Sequence, residues 1–309
     1  MKLTIIIPCY NEEEVLPWTL GKLAVLIERL KKETATDTRL LLVDDGSKDR
    51  TWELITEAAK AHDYVGGIKL SHNEGHQNAL WAGMQESVAT SDAVVSIDAD
   101  LQDDETAILD MARQVNEGKD IVYGVRKKRV TDTWFKRFTA QAFYRLMKSM
   151  DSEIVYNHAD FRMMTRRAVE ALMQYPERNL FLRGIVRQLG FREGYVYYDR
   201  RARTAGESKY PLKKMLSFSI DGITSFSTAP LKFITFIGLT MTLISFAMIV
   251  FALVRYSEGE TTQGWASLLV SLWFIGGIIT TALGVTGTYV GKIYIEVKRR
   301  PRYFVQERV

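Results

Sequence analysis

Acidic side chains gather at three places along the chain, each directly after a short apolar run. Glu12 follows residues 3–7 within PCYNEEE, Asp44-Asp45 follow residues 40–43, and Asp98-Ala99-Asp100 follow residues 93–97 in AVVSIDAD. Carboxylates repel a bare phosphate, so such a set suits a phosphorylated ligand only with a divalent cation between them. Oxygen donors without His or Cys point to Mg²⁺ or Mn²⁺. The 4 histidines show no H-x-x-H or H-E-x-x-H spacing, which argues against a His-based metal site. The single cysteine, Cys9, excludes an internal disulfide and a Cys-built zinc site, and suits a reducing compartment. A lone D-x-D triplet decides nothing, because 17 Asp in 309 residues give roughly one by chance. What singles out Asp98-Ala99-Asp100 is its place after one apolar run, with Asp44-Asp45 after another.

The elements that must position these groups alternate in kind. Residues 3–7, 40–43, 68–70, 93–97 and 121–123 read as short strands, and helical patterns begin near 51, 76 and 105. Asn11, with Glu14 three residues on, reads as a helix cap, followed by Val15, Leu20, Leu23, Leu26, Ile27 and Leu30 at helical spacing. Strands alternating with helices predict an α/β fold with a mostly parallel sheet built by right-handed crossovers. In such sheets ligands bind beyond the carboxyl ends of the strands, where the acidic residues lie. The first strand is followed by PCYNEEE, with neither a G-x-G-x-x-G nor a P-loop, so a dinucleotide site is not expected.

Charge divides the chain. Residues 1–210 carry 31 Lys+Arg against 32 Asp+Glu, whereas 211–309 carry 10 against 5 and account for the net +4. That excess flanks the most apolar stretches, so it does not describe a nucleic-acid surface. Residues 233–254 are 22 without charge and 265–290 are 26 more. At about 1.5 Å per residue each is long enough to cross a hydrocarbon core of roughly 30 Å. The expected organisation is a cytosolic domain over 1–210, an interfacial segment over 211–232, and a membrane hairpin of helices 233–254 and 265–291 around an external loop, 255–264. A basic tail, 292–309, follows. Lys213, Lys214 and Lys232 before the hairpin, and Lys292, Lys298, Arg299, Arg300 and Arg302 after it, place both ends in the cytoplasm by the positive-inside rule. The first residues lack a signal-peptide pattern. Leu212, Met215, Leu216, Ile220, Ile223 and Phe226 form a stripe that suits either an interfacial helix or packing on the cytosolic domain.

Six motifs then fall in order: PCYNEEE (8–14), VDDGSKDRT (43–51), NEGHQNAL (73–80), DADLQDD (98–104), ADFRM (159–163) and R-x-R-x-x-G-E-S-K-Y (201–210). Over about residues 3–210 the sequence resembles the polyprenyl-phosphate glycosyltransferases of the GT-A fold. These include the dolichyl-phosphate mannose synthases and the bacterial two-helix enzymes that load glucose onto undecaprenyl phosphate. The sequence departs from the family at Asp104, where Pro is frequent, and at Glu74, where an aromatic is common.

The resemblance implies that Pro8, Tyr10 and Glu12 hold the nucleotide's base and ribose, with Val43, Asp44 and Asp45 completing the pocket. It implies that Asp98, Ala99 and Asp100 meet the nucleotide, with Asp98 and Asp100 on Mg²⁺ or Mn²⁺ and Gln102 beside the diphosphate. Arg203, Ser208 and Lys209 would close over that diphosphate, or serve as a basic segment on anionic lipid. Arg126 and Arg137 are placed for the acceptor phosphate. Asp160 matches the residue often proposed as base. A lipid phosphate, with second pKa near 6, hardly needs one, so Asp160 could instead orient the acceptor or simply pair with Arg162. The implied reaction is inverting transfer of one sugar from UDP-glucose to undecaprenyl phosphate by a membrane-bound homo-oligomer. GDP-mannose with dolichyl phosphate, or a non-catalytic nucleotide-sugar-binding protein, are the alternatives. A processive synthase is discounted because Q-x-x-R-W is missing.

Overall fold

The computed structural model of the protein describes residues 1–127, 158–178, 180–199, 229–257 and 264–309. The chain divides into two units, Met1–Tyr210 together with Arg300–Val309, and Pro211–Arg299. In chain order the first unit contains β1 (Lys2–Cys9), α1 (Leu16–Thr34), β2 (Asp37–Asp44), α2 (Thr51–Ala61), β3 (Val65–Leu70) and α3 (His76–Ser87). It continues through β4 (Ala93–Ser96), α4 (Ala107–Asn116), β5 (Ile121–Arg126), β6 (His158–Thr165), α5 (Arg166–Met173), α6 (Leu182–Gln188) and β7 (Glu193–Tyr198). The second unit contributes α7 (Ala229–Ser257) and α8 (Trp265–Lys298), after which the chain returns to the first as β8 (Val305–Arg308).

The strands form one eight-stranded sheet in the order β7-β5-β6-β4-β1-β2-β3-β8. β1 runs parallel to both β2 and β4, β2 to β3, and β5 to β7, while β6 and β8 are antiparallel to their neighbours. The chain winds from β1 outward through β2 and β3, then resumes at β4 on the other flank of β1. That reversal opens a crevice at the carboxyl ends of β1, β2 and β4. The middle of β1 is an apolar run because both its faces are covered: Leu3, Ile5, Ile6 and Ile7 are all buried, and the buried Thr4 hydroxyl hydrogen-bonds with Ser91. Leu16, Leu23, Leu26 and Leu30 of α1 join Leu3, Ile5 and Ile7 in the core. Gly83 brings α3 close to β1, since an added Cβ would collide with the Ile6 side chain.

Two local expectations change. Asn11 does not cap α1; it sits in the left-handed region at φ 53°, accepts the Lys48 amide on Oδ1 at 2.9 Å and so ties two strand-end loops together. The helix instead starts at Leu16, its first turn built on the Glu12 carbonyl, which accepts the Val15 and Leu16 amides at 3.1 and 2.9 Å. β2 starts at Asp37 rather than 40, because Asp37, Thr38 and Arg39 pair in register with Lys2, Leu3 and Thr4.

The expected spans 233–254 and 265–291 lie within α7 and α8. Among the described residues one segment, Phe274–Lys298, is long and apolar enough to cross a membrane by length and composition. Residues 211–228, expected to be interfacial, lie outside the described residues.

The last ten residues are more than the basic tail their charge suggested. β8 pairs antiparallel with β3, and Gly67 and Val309 exchange two backbone hydrogen bonds of 2.9 Å. The Arg302 guanidinium lies 3.8 Å over the buried Trp81 ring of α3 and donates to the carbonyls of Tyr175 and Glu177. Tyr303 donates to Gln85 and Arg308 pairs with Glu86, both on α3. Arg302→Ala is expected to cost about 2 kcal/mol, since it removes a desolvated cation–π contact and two charge-assisted hydrogen bonds. Arg308→Ala, which removes only an exposed ion pair, is expected to cost less than about 1 kcal/mol. Thermal unfolding of the two variants checks the ranking.

Candidate active site

The crevice is lined first by the loops after β1 and β2. Tyr10 is partly exposed just past β1, and Pro8 is partly buried within it. Val43 and Asp44 are fully buried. Asp44 accepts the Ser47 amide on Oδ1 at 3.1 Å, while its buried Oδ2 has no hydrogen-bond partner among the described residues. Burial raises the Asp44 carboxyl above its ordinary range. An orphaned buried oxygen beside an exposed aromatic is the setting for a polar ligand group. Asp45 differs: its two oxygens accept the amides of Glu74 and Gly75 at 2.7 and 3.0 Å. It orders the turn that launches α3, in which Gly75 takes a φ of 88°. Glu12 is anchored through its amide to Thr51 Oγ1 at 2.9 Å.

The loop after β4 carries the D-x-D residues. Ala99 is buried, its carbonyl accepting the Thr19 hydroxyl at 2.6 Å. Leu101 is buried in the left-handed region at φ 41°, a conformation a branched side chain adopts only when its surroundings impose it. That turn aims Asp98 and Asp100 outward. Asp98 is half exposed, and Asp100 is partly exposed and accepts the Gln102 amide at 3.2 Å. The surrounding protein raises the Asp98 carboxyl; His76 opposes this, and the charges of Asp103, Asp160 and Asp100 add to it. Crowded, outward-facing carboxylates are what a divalent cation relieves, and hard oxygens fit Mg²⁺ or Mn²⁺. Among the described residues no group of three His, Cys, Asp or Glu is placed to hold one metal. Asp98 and Asp100 alone still suit Mg²⁺, which is commonly bound by one or two carboxylates plus substrate phosphates and waters.

Asp103 has a different task from its neighbours. It is buried and takes three hydrogen bonds of 2.9–3.2 Å from Arg126. The guanidinium expected to meet the acceptor phosphate is thus held along its Nε–Nη2 edge by a carboxylate and stays partly exposed.

The centre of the crevice is Asp160, on β6. Its buried carboxylate accepts from Arg162 Nη2 at 2.8 Å, Arg183 Nη2 at 2.9 Å and Gln77 Nε2 at 3.3 Å. His76 Nε2 lies 3.6 Å from Asp160 and 3.7 Å from Asp98, bridging the two acidic positions. Burial alone would raise Asp160, but Arg183, His76 and Arg162 hold it well below the usual carboxylate range. Burial alone would lower His76, yet the Asp160 hydrogen bond and the charges of Asp98 and Asp160 raise it. A carboxylate so strongly stabilised in its ionised form is a poor proton acceptor.

Glycosyl transferase family 2 matches residues 4–173, more than half of this chain. The chain belongs to glycosyl transferase family 2. A Bacillus subtilis relative named as an uncharacterized glycosyltransferase, YkoT, is 51% identical over 98% of this chain and 90% of its own length. The SfII prophage-derived bactoprenol glucosyl transferase of Shigella flexneri is 39% identical over 99% of this chain and 98% of its own. A mannosyltransferase from Pyrobaculum calidifontis, solved in complex with GDP-Man and Mn²⁺, superimposes with a TM-score of 0.47 at 15% identity. It covers 96% of this chain and 85% of that one. The protein is a glycosyltransferase, and its mostly parallel α/β sheet is of the GT-A kind, as expected.

Among the expected site residues of this family 2 glycosyltransferase, Pro8, Tyr10, Glu12, Val43, Asp44, Asp98, Ala99, Asp100, Gln102 and Asp160 lie in the strand ends and loops of this sheet. Arg137, Arg203, Ser208 and Lys209 lie outside the described residues. The pairing of Asp160 with Arg162 agrees with one reading of ADFRM. His76 and Gln77 were visible only as letters of NEGHQNAL, and nothing in sequence spacing marked Arg183.

Replacing Asp160 by Asn leaves the fully buried Arg162 without a counter-charge and is expected to cost about 3–5 kcal/mol of stability at pH 7. The folded-state pKa of Asp160 is depressed, so its contribution is present above the unfolded value of about 4 and is lost only as pH falls through the depressed one. The stability gap between wild type and Asp160→Asn, read from denaturant unfolding in detergent, is therefore expected to persist from pH 5 to 8, to narrow toward the alkaline end as His76, which Asp160 holds protonated, loses its proton, and to close only in strong acid.

Proposed function

We propose that the protein transfers one sugar from a nucleotide-sugar, UDP-glucose, to undecaprenyl phosphate at the cytoplasmic face of the membrane, with inversion at the anomeric carbon. One observation carries the reading: a family 2 chain matched almost end to end by a bactoprenol glucosyl transferase keeps two outward-facing carboxylates, Asp98 and Asp100, beside a cationic cluster. The two features suit the two phosphorylated substrates of such a transfer.

In this reading the exposed Tyr10 face stacks on the uracil, and the orphaned Asp44 Oδ2 accepts a polar hydrogen of the nucleoside. Asp98 and Asp100 would hold Mg²⁺ or Mn²⁺, which would supply positive charge to offset that of the departing nucleoside diphosphate. Gln102 lies next to that diphosphate, and Arg203, Ser208 and Lys209 close over it. A lipid phosphate oxygen attacks the anomeric carbon; the new C–O bond forms as the bond to the nucleoside diphosphate breaks, inverting the centre in a single displacement. The phosphate is largely dianionic at neutral pH, so no base is required. Asp160 acts as a fixed anion that orders Arg162, Arg183 and His76 around the acceptor.

The acceptor lives in a membrane, so the active site must stay near one. Helices over 233–254 and 265–291 would anchor the chain as a hairpin with both ends cytoplasmic, supported by the apolar segment Phe274–Lys298 and the basic flanks. Gly287 and Gly291 of α8 have open space where a Cβ would stand, which suits a close helix contact in a homo-oligomer.

The full chain in detergent is expected to move radiolabelled glucose from UDP-glucose to undecaprenyl phosphate in the presence of Mg²⁺ or Mn²⁺, and EDTA is expected to abolish the product. Asp100→Ala is expected to lower the rate at least a hundredfold while nucleotide still protects the variant from thermal unfolding. Transfer from GDP-mannose instead would replace the donor. Nucleotide binding with no transfer to any polyprenyl phosphate would overturn the reading.

A further inference from the structure

Positive charge around Asp160 exceeds what that carboxylate needs. Arg162 and Arg183 bring two guanidiniums to one carboxylate, and Arg162 is fully buried, donating to Asp160 at 2.8 Å and to the Leu182 carbonyl at 3.1 Å. Its charge is spent inside the fold. Arg183 is different. Its side chain is about one-third exposed, it engages Asp160 through Nε and Nη2, and its Nη1 makes no hydrogen bond among the described residues. Arg126, the basic residue the motifs favoured for the acceptor, engages the buried Asp103 through the same Nε and Nη2 edge with three hydrogen bonds, and is less exposed, 23% against 33% for Arg183. The described cleft therefore carries exposed charge of both signs: His76 links the half-exposed Asp98 to Asp160, and Asp160 in turn holds the one-third-exposed Arg183. Arg183 is also near enough to Asp98 to feel its charge.

Resting on the reading of a polyprenyl-phosphate acceptor, we infer that the outward edge of Arg183 is the docking point for the acceptor's phosphomonoester, with Asp160 fixing the guanidinium plane from behind. A guanidinium held at one edge by a carboxylate keeps further N–H donors in the same plane, a geometry that matches phosphate oxygens. The pairing also sorts the substrates. A cation-bound diphosphate is drawn to Asp98 and Asp100, and a bare phosphate dianion to Arg183. Sequence spacing does not mark Arg183, because α6 reaches Asp160 only through the fold, 23 residues along the chain.

The test is a comparison of Arg183→Gln and Arg183→Lys with wild type in the full chain in detergent. Arg183→Gln is expected to raise the KM for undecaprenyl phosphate roughly tenfold or more, a size typical of one charge-assisted phosphate contact. The donor KM should stay within about twofold, as should nucleotide protection against thermal unfolding. Arg183→Lys keeps the charge but not the planar fork, so its acceptor KM should fall between the two. An unchanged acceptor KM with a lower kcat or lower melting temperature would reduce Arg183 to support of Asp160 and overturn the inference. A rise confined to the donor KM would move Arg183 to the diphosphate and overturn it as well. Binding of decyl phosphate to the UDP-loaded protein separates this inference from the functional reading. Should wild type fail to glycosylate undecaprenyl phosphate, decyl phosphate binding that Arg183→Gln loses would sustain the anion site while the proposed reaction falls. Absence of that binding in wild type would sink both.

Discussion

The buried Asp160 carboxylate is the constraint on which the rest of the cleft depends. A charge in that position is tolerable only if its oxygens are filled, and they are filled from three directions. Arg162 comes from the same strand, Arg183 from α6 and Gln77 from α3. Gln77 also accepts the Leu182 amide at 3.1 Å, so the helix that follows the Asp45-held turn is tied to the start of α6. Disturbing Asp160 would loosen three elements together. This is also why its chemistry is that of a fixed anion: the contacts that make burial tolerable are the ones that make protonation unfavourable.

Carboxylates that look alike in the sequence are separated by burial into two jobs. Asp45 holds the turn before α3 and Asp103 pairs with Arg126; both are out of solvent. Asp98 and Asp100 stay partly exposed, in the loop that the left-handed Leu101 closes after the strand. The acidic cluster is thus only partly available for ligand. What remains available lies beside His76, which also contacts the Asp160 that holds Arg183.

The C-terminal return gives the catalytic unit a strand that follows the apolar helix directly in the chain. Arg302, Tyr303 and Arg308 all fasten to α3, whose first turn presents His76 and Gln77 to Asp160. The same helix is held at its start by Asp45 and along its length against Ile6 by Gly83. The segment bearing the cleft's histidine is therefore gripped at both ends. β8 also covers the outer edge of β3, which would otherwise expose unpaired backbone groups.

Much of this was legible in the residues themselves. Helices beginning at Thr51 and His76, the strands leading to Asp44 and Asp98, and the apolar stretches near the C-terminus follow from local periodicity, which depends only on neighbours in the chain. The six ordered motifs carried the family. The cap at Asn11 failed because a contact with Lys48, on another loop, won over the local pattern. Asp45 and Asp103 were indistinguishable from ligand-binding carboxylates until their partners were in place, since burial and ion pairing are set by residues distant in sequence. For the same reason Arg126 looked free, Arg183 went unnoticed and the last residues read as a tail. The sequence by itself determined the alternating elements, the strand-end chemistry and the family. Only the tertiary structure decided which charges cancel and which face the cleft, because cancellation requires two groups within a few ångströms, and chain order does not fix that distance.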